Sequence, residues 1–196
     1  MACEKKSVPS SGRRSSISPS SAICQEQGLV PIVEPEVLME GDHALGVCAR
    51  VTEEVLRTVF HALRQQRVAL EHMLLKPGMV VPGSTCAEQA SPQQVADATL
   101  TCLRRTVPAA VPGINFLSGG QSESAATANL NAINSSAQRQ PWVLSFSYGR
   151  ALQAPVLDAW RGEAANKTKA QHALYQRARL NSTARQGKYK ADMERE

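Results

Sequence analysis

Aromatic side chains make up only 4% of the 196 residues, too few to supply the stacking platforms on which single-stranded nucleic acids are held. The formal net charge of +5 favours anionic partners, yet the basic residues are not gathered into one block. A phosphorylated small molecule suits that charge as well as a polymer does. No apolar run reaches the roughly 18 residues of a membrane span, and no apolar segment follows the first residues, so neither a span nor a secretory signal is expected. The five cysteines are scattered, odd in number and without a CxxC pair. Free thiols in a reducing, cytoplasmic setting follow, and the Asn-X-Ser/Thr matches at Asn134, Asn166 and Asn181 become chance. The four histidines lack ligand spacing, so no metal and no cofactor is expected.

What is present is a chain that can fold. Its hydrophobic content of 42% is near the globular norm. Residues 1–20, MACEKKSVPSSGRRSSISPS, are the exception: rich in Ser, Pro and basic residues, they offer too little apolar surface to offset ordering entropy and are expected to be a disordered tail. Beyond them, short apolar runs alternate with helical patterns. LVPIVE (29–34), HMLLK (72–76), GINFLS (113–118) and WVLSF (142–146) read as strands. VTEEVLRTVFHALRQQ (51–66) reads as a helix with Val51, Val55, Val59, Phe60 and Leu63 on one face. Ser91-Pro92-Gln93-Gln94 is a capping box opening a helix to about Arg105, and Ser122 caps another to about Asn134. From Tyr148 the chain is helical with a break near Pro155, and a last helix, about 163–180, places Ala170, Leu174 and Ala178 on one face. Repeated βα units with unalternating apolar strands imply a parallel sheet, either doubly wound or an arc of a barrel.

Ligands of such sheets bind at the carboxyl ends of the strands, and polar residues gather there. The first strand ends in Glu34-Pro35-Glu36, the second in Lys76-Pro77, the third in Ser118-Gly119-Gly120, and the fourth in Ser145, Ser147, Gly149 and Arg150. A lysine at a strand end is usually a snorkelling surface residue, but a desolvated amine can attack a carbonyl and form a Schiff base. Glu34 and Glu36 are expected on one side of the chain, where a carboxylate could donate the proton that turns a carbinolamine into an imine. The glycine pair before a capped helix suits an anion, which Arg150 could clamp. Each has a plainer reading: a solvated acidic loop, a common turn, a surface arginine.

As ordered text, GLVPIVEPEVL (28–38), VTEEVL (51–56), LLKPGMV (74–80), LRRTVPAAVPGINFLSGGQSE (103–123), NLNAIN (129–134) and LSFSYGRALQAPVLDAW (144–160) resemble the class I, Schiff-base fructose-bisphosphate aldolases over about residues 20–189. The resemblance implies a TIM (β/α)8 barrel that cleaves fructose 1,6-bisphosphate into dihydroxyacetone phosphate and glyceraldehyde 3-phosphate. It implies Lys76 as the Schiff-base lysine, Glu34 as the proton-moving carboxylate and Glu36 as its neighbour. Ser118, Gly119 and Gly120 match the phosphate loop, and Ser147, Gly149 and Arg150 the remaining phosphate contacts. Only the family's last four strands, 5 to 8, have counterparts, so residues 21–196 are read as a partial barrel. The family's early-strand aspartate, lysines and arginine have none. His72 and Met73 stand where the family usually has Gly and Thr, Gly78 where it has Asn, and GKYKADMERE (187–196) where it has a tail ending in tyrosine.

An arc of four strands leaves two open edges, and the side chains of Val33, Leu75, Phe116 and Leu144 are expected to face its bare inner side and meet water, leaving a monomer marginal or sticky. Three functions are consistent with this. The chain could be an aldolase-type lyase polypeptide, impaired alone and needing more chain. It could be a silent fragment that binds phosphosugar or pairs with a second copy or a full-length aldolase. It could be a truncated reading frame without function. None involves nucleic acid or a membrane.

Overall fold

The computed structural model describes residues 17–195, with side chains from residue 20 onward. The first sixteen residues of the expected tail lie outside the described residues, and its last four open helix α1 (Ile17–Glu26). Gly28, at φ +73°, turns the chain out of that helix. Gln25 then ties α1 to the rest, its side chain accepting from Ala69 N at 2.9 Å and donating to Ala69 O at 2.8 Å.

Four strands follow, β1 (Ile32–Val33), β2 (Leu74–Leu75), β3 (Gly113–Phe116) and β4 (Val143–Phe146), all parallel and in sequential order. Helix α2 (Leu45–Gln65) links β1 to β2, α3 (Pro92–Thr106) links β2 to β3, and α4 (Glu123–Asn134) links β3 to β4. Helices α5 (Arg150–Trp160) and α6 (Lys167–Arg185) complete the order, followed by a 3-10 turn at Ala191–Arg195. Among the described residues no helix is long and apolar enough to cross a membrane.

Side-chain alternation divides the sheet into two unlike faces. Val33, Leu75, Ile114 and Leu144 lie in one register row, and with Phe116 they are buried in the core beneath the helices. The expectation that Val33, Leu75, Phe116 and Leu144 meet water is therefore overturned. The residues of the bare face are their neighbours in sequence: Ile32, Leu74, Gly113 and Val143, with Ile32 56% and Val143 55% exposed. Helices on a single face distinguish this winding from a doubly wound layer, which buries both faces.

The two capped helices begin where expected. Ser91 accepts from Gln94 N and Gln94 reaches back to Ser91 N, closing the capping box, and the Ser122 hydroxyl accepts from Ala125 N at 3.2 Å. Three helix expectations are corrected. Helix α2 starts six residues before Val51 and buries Cys48, Thr52, Leu56, Phe60 and Leu63, leaving Val51, Val55 and Val59 half-buried. Helix α5 runs unbroken through Pro155. Helix α6 runs Lys167–Arg185 rather than about 163–180, and it buries Ala170, Arg177, Leu180, Asn181 and Ala184 while Leu174 and Ala178 are exposed.

Cys102 on α3 is buried, and burial, with Glu53 and Cys48 nearby, pushes its thiol from 9.0 to about 12. The folded state keeps this proton where the unfolded chain releases it. The stabilisation is whole below pH 9 and is lost as pH rises toward 12. Unfolding free energies from denaturant titrations across this range are expected to fall by at most about 1.4 kcal/mol per pH unit from this group, and Cys102→Ala is expected to remove that part of the slope.

Candidate active site

The ladder continues past the strands and draws their carboxyl ends into one rim. Lys76 N donates to Val33 O at 2.8 Å, Leu117 N to Pro77 O at 3.0 Å, and Ser147 N to Phe116 O at 2.9 Å. The alternation that buries Leu75 turns Lys76 to the bare face, and that which buries Val33 turns Glu34 the same way. Their side chains meet: Lys76 Nζ stands 2.8 Å from Glu34 Oε1, with the lysine side chain 20% and the carboxylate 48% exposed. The pair therefore joins a mostly shielded amine to a carboxylate still open to solvent. Glu36 is exposed and makes no ion pair with Lys76 among the described residues.

The register places two further polar residues in this row. Leu75 pairs with Ile114, so Lys76 lies beside Asn115, and Asn115 pairs with Ser145. The rim thus reads Glu34, Lys76, Asn115, Ser145 across the four strands. Asn115 escaped the sequence reading because one asparagine inside an apolar run carries no motif; only the register reveals its neighbour.

The Ser118–Gly120 loop lies at the end of β3. Gly119 and Gly120 hold φ +56° and +86°, where side chains are strained. A Cβ at Gly120 would meet Met39 Sδ at 3.2 Å and lie 4.0 Å from Arg150 Nη2. The arginine from the end of β4 therefore sits against the glycine loop, and it makes no ion pair among the described residues. Ser118 is buried, and its carbonyl accepts from Gln121 N at 3.0 Å and Gln121 Nε2 at 3.1 Å. Helices α4 and α5 both begin at this rim, with Gly149 capping α5 and nothing within 4 Å of where its Cβ would stand. Two helix starts, a left-handed glycine pair and a free guanidinium make a positive, donor-rich corner.

Ser147 is exposed in the turn that carries Arg150. That turn is fixed by Tyr148, whose buried hydroxyl donates to Ala126 O of α4 at 2.9 Å. Burial raises the phenol well above its ordinary range, so it stays a neutral donor. Among the described residues no group of three or more His, Cys, Asp or Glu side chains is placed to hold a metal ion.

Comparison with known proteins relates the chain to one family. The family model described as "Glycolytic: Fructose-bisphosphate aldolase class-I" matches residues 14–196. Fructose-bisphosphate aldolase C of Rattus norvegicus is 56% identical over 169 residues, covering 86% of this chain and 47% of its own length. Fructose-bisphosphate aldolase B of Homo sapiens is 59% identical over 169 residues, covering 86% and 46%. A solved structure of fructose-bisphosphate aldolase from Plasmodium falciparum, in complex with TRAP and a small-molecule inhibitor, superposes with a TM-score of 0.87 at 52% identity, covering 89% of this chain and 50% of that one. The chain thus spans about half the length of the relatives it matches.

A half-exposed ion pair contributes about 0–1 kcal/mol to stability. Glu34→Gln is therefore expected to shift the urea unfolding free energy by less than about 1 kcal/mol. A larger loss would make the Lys76–Glu34 contact a structural brace.

Proposed function

The chain belongs to the fructose-bisphosphate aldolase class-I family, and from that premise we propose that its rim captures the ketone of a phosphorylated sugar as an imine on Lys76. The observation that carries this reading is the 2.8 Å contact between Lys76 Nζ and Glu34 Oε1, within the range for direct proton transfer. Glu34 accepts the ammonium proton, which frees the amine lone pair to attack the ketone carbon. The resulting carbinolamine takes a proton from Glu34 on its hydroxyl, water leaves, and a cationic imine remains. That imine is the electron sink into which a neighbouring carbon–carbon bond can break. Glu36, exposed two residues after Glu34, is proposed as a supporting carboxylate only. Ser118, Gly119, Gly120, Ser147, Gly149 and Arg150 hold the sugar's phosphate.

The four strands correspond, in this reading, to strands 5 to 8 of the family barrel. The early-strand groups that would bind a second phosphate and assist bond cleavage have no counterpart in residues 21–196. Losing one pre-organised catalytic donor commonly costs about a hundred- to a thousandfold. Capture of the ketone is thus proposed for the chain alone, and efficient aldol cleavage only with a partner.

A second reading is favoured by the bare face. Leu29 and Val30 just before β1, Ile32 within it and Val143 at the start of β4 are exposed, the open-edge situation that invites strand pairing. A second copy or a full-length aldolase subunit would cover them, and the chain would then act on assembly rather than on sugar.

Borohydride added with dihydroxyacetone phosphate is expected to leave a stable mass adduct on Lys76, located by peptide mass spectrometry and absent from Lys76→Arg; an unmodified Lys76 would count against imine capture. Cleavage of fructose 1,6-bisphosphate by the isolated chain is expected at least about a thousandfold below that of a complete relative assayed beside it. A comparable turnover would refute the need for a partner.

A further inference from the structure

Arg177 is a charged residue in the core: it lies in the middle of α6 and is 5% exposed. Its Nη1 is ion-paired to Glu194 of the Ala191–Arg195 turn. Its Nη2 donates to Glu123 O at 3.0 Å and to the Thr127 hydroxyl at 2.6 Å, both on the first turns of α4. Glu194 Oε1 also accepts from the Tyr189 hydroxyl at 2.9 Å, and Tyr189 N donates to Asn131 Oδ1 of α4 at 2.9 Å. The segment after α6 is thereby bound along α4, with Arg177 as the central link.

The head of α4 is where the anion loop is anchored. Gln121 bonds twice to Ser118 O and accepts from Asn129 Nδ2 at 2.6 Å. A cation on the Glu123 carbonyl acts on the same peptide unit whose N–H, on Ser124, is one of the first-turn donors of α4 that have no acceptor within the helix. Hydrogen bonds through one peptide polarise each other, so a charge-assisted bond on the carbonyl strengthens the donor opposite. Stability alone accounts poorly for this network. Among the described residues Arg177 Nε and Asn181 Nδ2 are buried without a hydrogen-bond partner, and buried ion pairs often contribute less than an apolar replacement would.

We propose that Arg177 and Glu194 are positioning residues that hold the start of α4, and so the Ser118–Gly120 loop, in the geometry that binds a phosphate. This rests on the phosphate-loop reading above. The residues touch no substrate, so their loss raises the ligand concentration the site needs and leaves the chemistry at Lys76 alone.

The test is trapping on Lys76 with borohydride across a range of dihydroxyacetone phosphate, paired with calorimetric titration of inorganic phosphate, on the full chain and on Glu194→Gln and Tyr189→Phe. Glu194→Gln is expected to raise the half-saturating concentration about fivefold or more in both assays, with the maximal trapping rate held within about twofold. Tyr189→Phe, which keeps both charges, is expected to give a smaller shift in the same direction even if Glu194→Gln does not fold. Unchanged half-saturation in a folded variant, or a fall in maximal rate instead, overturns the proposal. If the unsubstituted chain forms no adduct yet binds phosphate, imine capture fails while the phosphate arm still decides this proposal. If it binds no phosphate, the positioning proposal is overturned together with the phosphate-loop reading, whatever the trapping on Lys76 shows.

Discussion

In a parallel strand only every second side chain can reach the covering helices, and here that constraint separates stability from chemistry. Val33, Leu75, Ile114 and Leu144 form the row that the helices bury. The next row toward the carboxyl ends carries Glu34, Lys76, Asn115 and Ser145 on the opposite face. Neither row can move without the other, because a slip of one residue would exchange them. The packed core thus fixes the registry that brings the amine to the carboxylate. The two residues of each contact are supplied by neighbouring strands about 4.8 Å apart, close enough for side chains to meet and too far for them to crowd.

The glycine loop and Arg150 depend on the same rim but are positioned from behind. Tyr148 fastens the turn after β4 to Ala126, and Gln121 with Asn129 fastens the turn after β3 to α4. Helix α4 is therefore the common support of both turns, and what grips α4 from the far side bears on both.

Much of this was legible in the chain. The βα order, the Ser91 capping box and the Ser122 cap rest on local chemistry and are present as read. So does the meeting of Lys76 with Glu34, because strand ends of consecutive parallel units must share a rim. The errors share one cause: choosing which face is inward needs the partner surface. Helix α2 buries Thr52 and Leu56 between its valines because the inward stripe is set by α3 and the sheet, and Thr52 is too polar to be ranked as core by composition. Arg177 was invisible for the same reason, since its counterion Glu194 lies in a turn whose folding back cannot be read from α6. Pro155 falls inside a helix because tertiary packing outweighs one lost hydrogen bond.

The same division of faces bears on whether this four-stranded sheet can stand alone. Had Val33, Leu75, Phe116 and Leu144 faced the bare side, closing the barrel would have been a condition of folding. They face the helices, so the main core is complete within the described residues. Closure has only Ile32, Leu74, Val143 and the β1 edge left to bury. At about 1.5–3 kcal/mol for each large apolar side chain, that gain is of the same order as the roughly 4–15 kcal/mol that association costs. Apolar burial therefore makes any pairing weak unless the backbone hydrogen bonds of β1 and β4 are also satisfied by it. A partner that contributes strands in register would supply both terms, whereas one that merely covers the face would supply the smaller. Strand addition is thus the form of association this sheet favours, and it would also bring new side chains to the row that holds Lys76.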